Sequence, residues 1–220
     1  MKVCTDSCLF GACISNKIEQ HTIHPKRILD IGAGTGLLSL MIAQKSNATI
    51  DAIEIDEGSC RQASENFLKS PWNEQLHVFH KDIKTLESVL KYDLILSNPP
   101  FYENDLVAHK ERKNLAKHHV GLTLRELLQS IKNNLDDDGS FAILLPFHRI
   151  DYFKNMAAEN GFYLNEELLV MQTPKHAYFR GILFFGTTPV PFISRELIIK
   201  NNEGNYTEEF NFLLKDYYLK

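Results

Sequence analysis

Short runs of branched apolar residues alternate with stretches of helical spacing from Arg27 to Phe185, a pattern that predicts an α/β fold around a largely parallel sheet. The runs Arg27–Ile31, Thr49–Ile55, Leu76–Phe79, Tyr92–Ser97 and Ser140–Leu145 predict five strands. Between them, Leu37–Lys45, Gly58–Leu68 and Thr123–Asn133 predict helices. A further helix over Asp151–Asn160 stops at Gly161, a residue that readily ends a helix. Two later runs, Glu167–Met171 and Tyr178–Phe185, have only the loop Gln172–His176 between them. A connection that short cannot cross the sheet, so this last pair is expected to be antiparallel. Cys8–Lys17 predicts a helix leading into the first strand, and Ser194–Lys200 with Thr207–Tyr218 a terminal strand and helix. No repeat, low-complexity tract or Pro/Gly/Ser-rich linker divides the chain. Residues 1–220 are therefore read as one domain, with an amino-terminal segment over 1–24, a core over 25–187 and a terminal strand and helix over 188–220.

Composition removes several classes. A chain of 220 residues can bury a full core without disulfides or metal. Apolar residues at 44% and charged residues at 24% exclude disorder, collagen and coiled coil. Lys plus Arg is 24 and Asp plus Glu is 28, a net charge of −4, so any nucleic-acid contact must use a local basic patch. No apolar run approaches the ~18 residues of a membrane span, and Asp6 interrupts any export signal. No membrane partner is expected, and the expected location is cytoplasmic. Cys4, Cys8, Cys13 and Cys60 form no disulfide framework and read as reduced thiols. Cys4-x3-Cys8-x4-Cys13 has no CxxC pair for zinc, and its second gap is longer than that of the radical iron–sulfur triplet, so no metal is expected.

Two loops carry the candidate chemistry. Leu29-Asp30-Ile31-Gly32-Ala33-Gly34-Thr35-Gly36 joins the first strand to the first core helix, where Gly32, Gly34 and Gly36 allow positive φ and a close backbone approach to a ligand. The spacing is GxGxG, not the GxGxxG of a dinucleotide site. Glu54 lies 18 residues beyond Gly36, at the end of the second strand, where a carboxylate can accept both hydroxyls of an adenosine ribose. Asp82, after the third strand, is placed to take the adenine amine. Asp30 is expected to steady the glycine turn and attract a cationic ligand. Acids around a glycine turn suit the sulfonium and ammonium of S-adenosyl-L-methionine better than they suit phosphates.

The fourth strand stops at Asn98-Pro99-Pro100-Phe101. Two prolines make this segment stiff and extended, which suits a group that must be held in alignment. The amine of adenine is a poor nucleophile because its lone pair is delocalised into the ring. If Asn98 Oδ1 and the Pro99 carbonyl accept its two N–H bonds, the nitrogen turns toward a tetrahedral shape and aims its lone pair at a sulfonium methyl. Pro100 would border the base and Phe101 stack on it. The bland alternative is a proline-terminated strand with Phe101 in the core. Together the two loops predict an S-adenosyl-L-methionine-dependent N-methyltransferase acting on a planar amine, with S-adenosyl-L-homocysteine as product. The layout resembles the class I methyltransferases, a Rossmann-like α/β fold with a mostly parallel seven-stranded sheet and a last antiparallel strand pair.

The two ends narrow the resemblance. Lys2-Val3-Cys4-Thr5-Asp6-Ser7-Cys8-Leu9-Phe10-Gly11-Ala12 and the tail Tyr206-Thr207-Glu208-Glu209-Phe210 … Leu213-Leu214-Lys215-Asp216-Tyr217-Tyr218 resemble the ends of bacterial valine-tRNA adenine N6-methyltransferases. That resemblance implies methylation of the adenine just 3′ of the anticodon, at position 37, in valine tRNA. It also implies that Thr5, in the amino-terminal segment, joins the cofactor-binding set. Phe101 stands where many relatives have Tyr, and relatives carry a short aromatic-containing segment ahead of the part matching Lys2-Val3, where this chain has Met1. A basic run after the Asn-Pro-Pro-Phe loop, with Lys110, Lys113 and Lys117, offers contacts to RNA phosphate or, alternatively, a solvated helix face. Lys175, His176 and Arg180 are candidates to lie nearby. Other functions remain open at this point: methylation of a release-factor glutamine at N5, methylation of ribosomal guanine at N2, or a non-catalytic scaffold.

Overall fold

The computed structural model describes residues 5–86, 90–100 and 121–217. Eight strands form one sheet: β1 (Arg27–Ile31), β2 (Thr49–Glu54), β3 (Leu76–His80), β4 (Tyr92–Ser97), β5 (Leu135–Pro146), β6 (Tyr163–Met171), β7 (Tyr178–Gly186) and β8 (Ile193–Ile198). Their spatial order is β3-β2-β1-β4-β5-β7-β6-β8. β7 runs antiparallel to both neighbours and every other pairing is parallel. The expected seven strands and antiparallel pair are present, and the terminal strand widens the sheet to eight by pairing with β6. Arg195 reaches Glu166 and the Ser194 hydroxyl donates to Glu167 (2.9 Å), so buried carboxylates of β6 anchor this added edge.

Among the described residues the α-helices are α1 (Thr5–Glu19), α2 (Leu37–Ala43), α3 (Glu57–Lys69), α4 (Leu124–Asn134), α5 (Ile150–Glu159) and α6 (Glu208–Leu214). Strand side chains alternate faces, and β5 shows how this builds two cores. Phe141, Ile143 and Leu145 enter one core with Leu127 and Ile131 of α4 and Phe153 of α5. Ala142 and Leu144 enter the other with Leu9, Phe10 and Ile14 of α1 and Met41 and Ile42 of α2. Phe141 stacks on Phe185 of β7 at 4.8 Å and meets Phe153 edge-on at 6.4 Å, which pins that face.

Three elements start well before the sequence reading places them. α1 is longer than Cys8–Lys17, with Asp6 in its first turn and Lys17 in its last, where each charge suits the helix dipole. β5 starts at Leu135, and its register jumps from Tyr92↔Leu135 to Leu94↔Ser140, so the polar Asp136-Asp137-Asp138-Gly139 bulges out of the ladder. β6 starts at Tyr163, with an irregularity between Leu164 and Glu166. None of the described helices is long and apolar enough to cross a membrane.

Candidate functional site

The glycine turn leaves β1 at the carboxyl edge of the sheet and is bound to the end of β2. The N–H groups of Gly32 and Ala33 donate to the Ile53 carbonyl (2.9 and 3.2 Å), and Gly36 N–H donates to Ala33 (2.9 Å). Gly36 has φ 82°, and a Cβ there would lie 2.4 Å from the Phe67 ring of α3, so both conformation and packing demand glycine. Gly32 has φ 75°, but a Cβ on it would meet nothing within 4 Å. That open face is where a ligand can approach the backbone.

Glu54 is 8% exposed and holds this turn. Its Oε2 accepts the Gly34 N–H at 2.7 Å and its Oε1 the Asp56 N–H at 2.8 Å. Asp30, fully buried, accepts the Ser39 hydroxyl on Oδ2 (2.7 Å), while its Oδ1 has no hydrogen-bond partner. The turn was expected to lean on Asp30; its Gly34 amide instead goes to Glu54, and Asp30 is tied to α2. Burial pushes the Asp30 carboxyl up to about 6, the Ser39 bonds oppose this, and the charge of Glu54 adds to it.

A pH dependence follows. An acid whose folded pKa exceeds its unfolded value binds more protons when folded, so stability falls as pH rises between the two. Asp30 should therefore cost the unliganded protein up to about 3 kcal/mol between pH ~4 and pH ~6, at about 1.4 kcal/mol per unit. Denaturant unfolding across this range should show a slope that Asp30→Asn removes. Parallel curves for the two proteins would assign the slope to other groups.

The end of β3 completes the first half of the site. Lys81 N–H donates to the Glu54 carbonyl (3.0 Å), which sets Asp82 beside the β2 terminus. Asp82 Oδ1 accepts Lys84 N–H at 3.0 Å and caps the short turn Ile83–Thr85. Ile55 is 57% exposed, with its carbonyl 3.0 Å from His80 Nε2. The sequence reading took Ile55 as the last residue of the second strand and gave it no role at the site; β2 ends at Glu54 and leaves Ile55 exposed just past it.

The second half lies one strand away. Ser97 pairs with Ile31, and its hydroxyl donates to the Ile31 carbonyl (3.0 Å), so Asn98 follows β4 at the level where Gly32 follows β1. Asn98 Nδ2 donates to Ser7 Oγ at 2.7 Å. Asn98 Oδ1 is buried without a hydrogen-bond partner. Pro99 is buried and Pro100 exposed. Beside Ser7, Asp6 pairs with Arg180 Nε of β7 at 2.8 Å. Thr5 is exposed at the start of the same helix. Phe147, exposed just after β5, lies 5.2 Å from the Tyr178 ring and adds an aromatic surface to this edge.

The sequence model of the family described as "Methyltransferase small domain" matches residues 11–159. A tRNA1(Val) (adenine(37)-N6)-methyltransferase of Dyadobacter fermentans is 39% identical over all of this chain and 91% of its own length. Another from Pseudoalteromonas translucida is 35% identical over all of this chain and 92% of its own. This chain belongs to the tRNA1(Val) (adenine(37)-N6)-methyltransferase family. The crystal structure of "a predicted O-methyltransferase" from Agrobacterium tumefaciens, 14% identical, superposes with a TM-score of 0.71 over 95% of each chain, which speaks for the fold alone.

Within this family member the sheet gathers Asp30, Gly32, Gly34, Gly36, Glu54, Asp82, Asn98, Pro99 and Pro100 at one edge, as the ends of β1 to β4. Thr5 and Arg180 reach the same edge through α1 and β7, while Lys175 and His176 sit exposed in the β6–β7 turn. Phe101, Lys110, Lys113 and Lys117 lie outside the described residues. Among the described residues no three His, Cys, Asp or Glu side chains gather as metal ligands. The sequence reading quoted Ser7 only within the amino-terminal segment and gave it no role: it is 91 residues from Asn98, and only the fold joins them.

Proposed function

We propose that this chain transfers a methyl group from S-adenosyl-L-methionine to N6 of adenine 37 in valine tRNA. The observation that carries the site assignment is the buried, unpartnered Asn98 Oδ1 one strand from the glycine turn. An orphan acceptor of that kind costs about 1–3 kcal/mol, which a donor on a bound molecule would recover.

The residues fit the cofactor. A carboxylate offers about four lone-pair sites, and the two backbone amides occupy one on each oxygen of Glu54, leaving two for ribose hydroxyls. Ile55 would border the adenine, Asp82, whose Oδ2 lies 3.6 Å from Lys84 Nζ, would accept from its amine, Gly32 would yield space, and Asp30 would supply negative charge beneath the turn. When bound, the cofactor supplies an electrophilic methyl group on a sulfonium.

Asn98 Oδ1 and the Pro99 carbonyl accept the two N–H bonds of the target amine, turn its nitrogen toward a tetrahedral shape and aim its lone pair. No strong base is required, because the methylated amine is acidic enough to release one proton to water or a weak acceptor. Phe101 stacks on the base, Pro100 borders it, and Lys110, Lys113 and Lys117 contact phosphate. The anticodon loop presents its bases unpaired, so a compact patch on an acidic protein suffices. A cytoplasmic location fits this substrate.

The test offers labelled S-adenosyl-L-methionine with, separately, unmodified valine tRNA, release factor, ribosomal RNA and DNA. Digestion of the products should give label in N6-methyladenosine from the tRNA only. Label in release-factor glutamine or in N2-methylguanosine would overturn the substrate and leave the cofactor site standing.

A further inference from the structure

The unpartnered oxygen of Asn98 raises a question of orientation. A carboxamide has nearly the same shape after a half-turn about its last bond, but the turn exchanges an acceptor for two donors. With Nδ2 toward the substrate, Asn98 would oppose donor to donor and repel the amine it must hold. Something must fix which end faces outward. Ser97 and Pro99 hold the backbone and do not bear on that choice.

We infer that Ser7 is a positioning residue: by accepting from Nδ2 it holds the Asn98 amide with Oδ1 toward the acceptor amine. Its Oγ takes the Nδ2 hydrogen at 2.7 Å, which turns Oδ1 away from α1. Ser7 is itself only 9% exposed, so water competes little for that bond. Its place is set on both sides. Leu9 and Phe10, almost fully buried, seat the first turns of α1 in the core, and the neighbouring Asp6 is clamped to Arg180 of β7 at 2.8 Å. The hydroxyl therefore reaches Asn98 from an element that cannot easily shift. The amino-terminal helix thus does more than cover the sheet: its position holds the side chain of the clamp. This inference rests on the reading of Asn98 as the amine clamp.

Ser7→Ala removes the acceptor and lets the amide turn. Turnover of valine tRNA should fall about tenfold in kcat, while KM for tRNA and the Kd for S-adenosyl-L-homocysteine stay within twofold. A merely structural role would lower the melting temperature and raise KM or Kd together. Ser7→Cys keeps the volume with a poor acceptor and should show the same kcat loss, which covers the case of an Ala variant that does not fold. Wild-type kcat in either folded variant, with Asn98→Ala inactive, overturns the inference and leaves the clamp intact. Wild-type rates in Asn98→Ala would defeat both.

Discussion

Asn98→Ala should abolish methyl transfer while leaving cofactor affinity untouched. The loss expected is on the order of 10²–10³ in the single-turnover rate, as for removal of one preorganised polar group from an active site. Alignment carries most of the barrier in this reaction, because the amine must be bent and held before its lone pair can point along the line of displacement. The variant should also fold well. In the unliganded protein Asn98 makes one good bond, to Ser7, and leaves Oδ1 buried without a partner. The bond is worth about 1 kcal/mol and the orphan costs about as much or more, so truncation should leave the melting temperature unchanged or raise it. A catalytic side chain that destabilises its own fold is a recognisable sign of function. Single-turnover kinetics with valine tRNA, set beside calorimetric binding of S-adenosyl-L-homocysteine, make the check. A rate near wild type would remove Asn98 from the chemistry.

Much of this site was legible because its parts sit at strand ends with fixed spacing. The glycines, Glu54, Asp82 and the Asn98 loop each follow an apolar run, and a parallel sheet brings such ends to one edge. What stayed hidden has a physical reason in each case. α1 is buried from Ser7 to Ser15 without interruption, packed between α2, α6 and the sheet, so it shows no polar face from which to read a 3.6-residue period. Its length and its reach to Asn98 were therefore invisible. Asp30 and Glu54 are both acids at strand ends, and spacing cannot tell which one takes the glycine-turn amide. The geometry gives Gly34 N–H to Glu54. The bulge in β5 was hidden for a different reason: Asp136-Asp137-Asp138-Gly139 has loop composition yet interrupts a ladder that begins at Leu135.

That Glu54 rather than Asp30 takes the Gly34 amide sharpens the second large effect, expected at Glu54. If this carboxylate both anchors the turn and accepts ribose hydroxyls, Glu54→Ala must show two separable losses. The Gly34 amide loses its acceptor in a buried setting and the Asp56 amide in a partly buried one, which should cost about 1–3 kcal/mol of stability for each amide that water does not reach. Cofactor affinity should fall by about 2–3 kcal/mol, or roughly 30- to 150-fold, for hydrogen bonds to a charged acceptor. A disordered turn alone could weaken binding, so affinity by itself does not identify the ribose contact. The 2′-deoxyribose analogue of S-adenosyl-L-homocysteine separates the two. Wild-type protein should prefer the parent compound by about tenfold or more, and Glu54→Ala should bind parent and analogue equally, because the coupling between hydroxyl and carboxylate is gone. Calorimetry with the four combinations measures that coupling directly. A preference for the parent that survives in Glu54→Ala would make Glu54 an anchor of the turn only, with the ribose held elsewhere along the same edge.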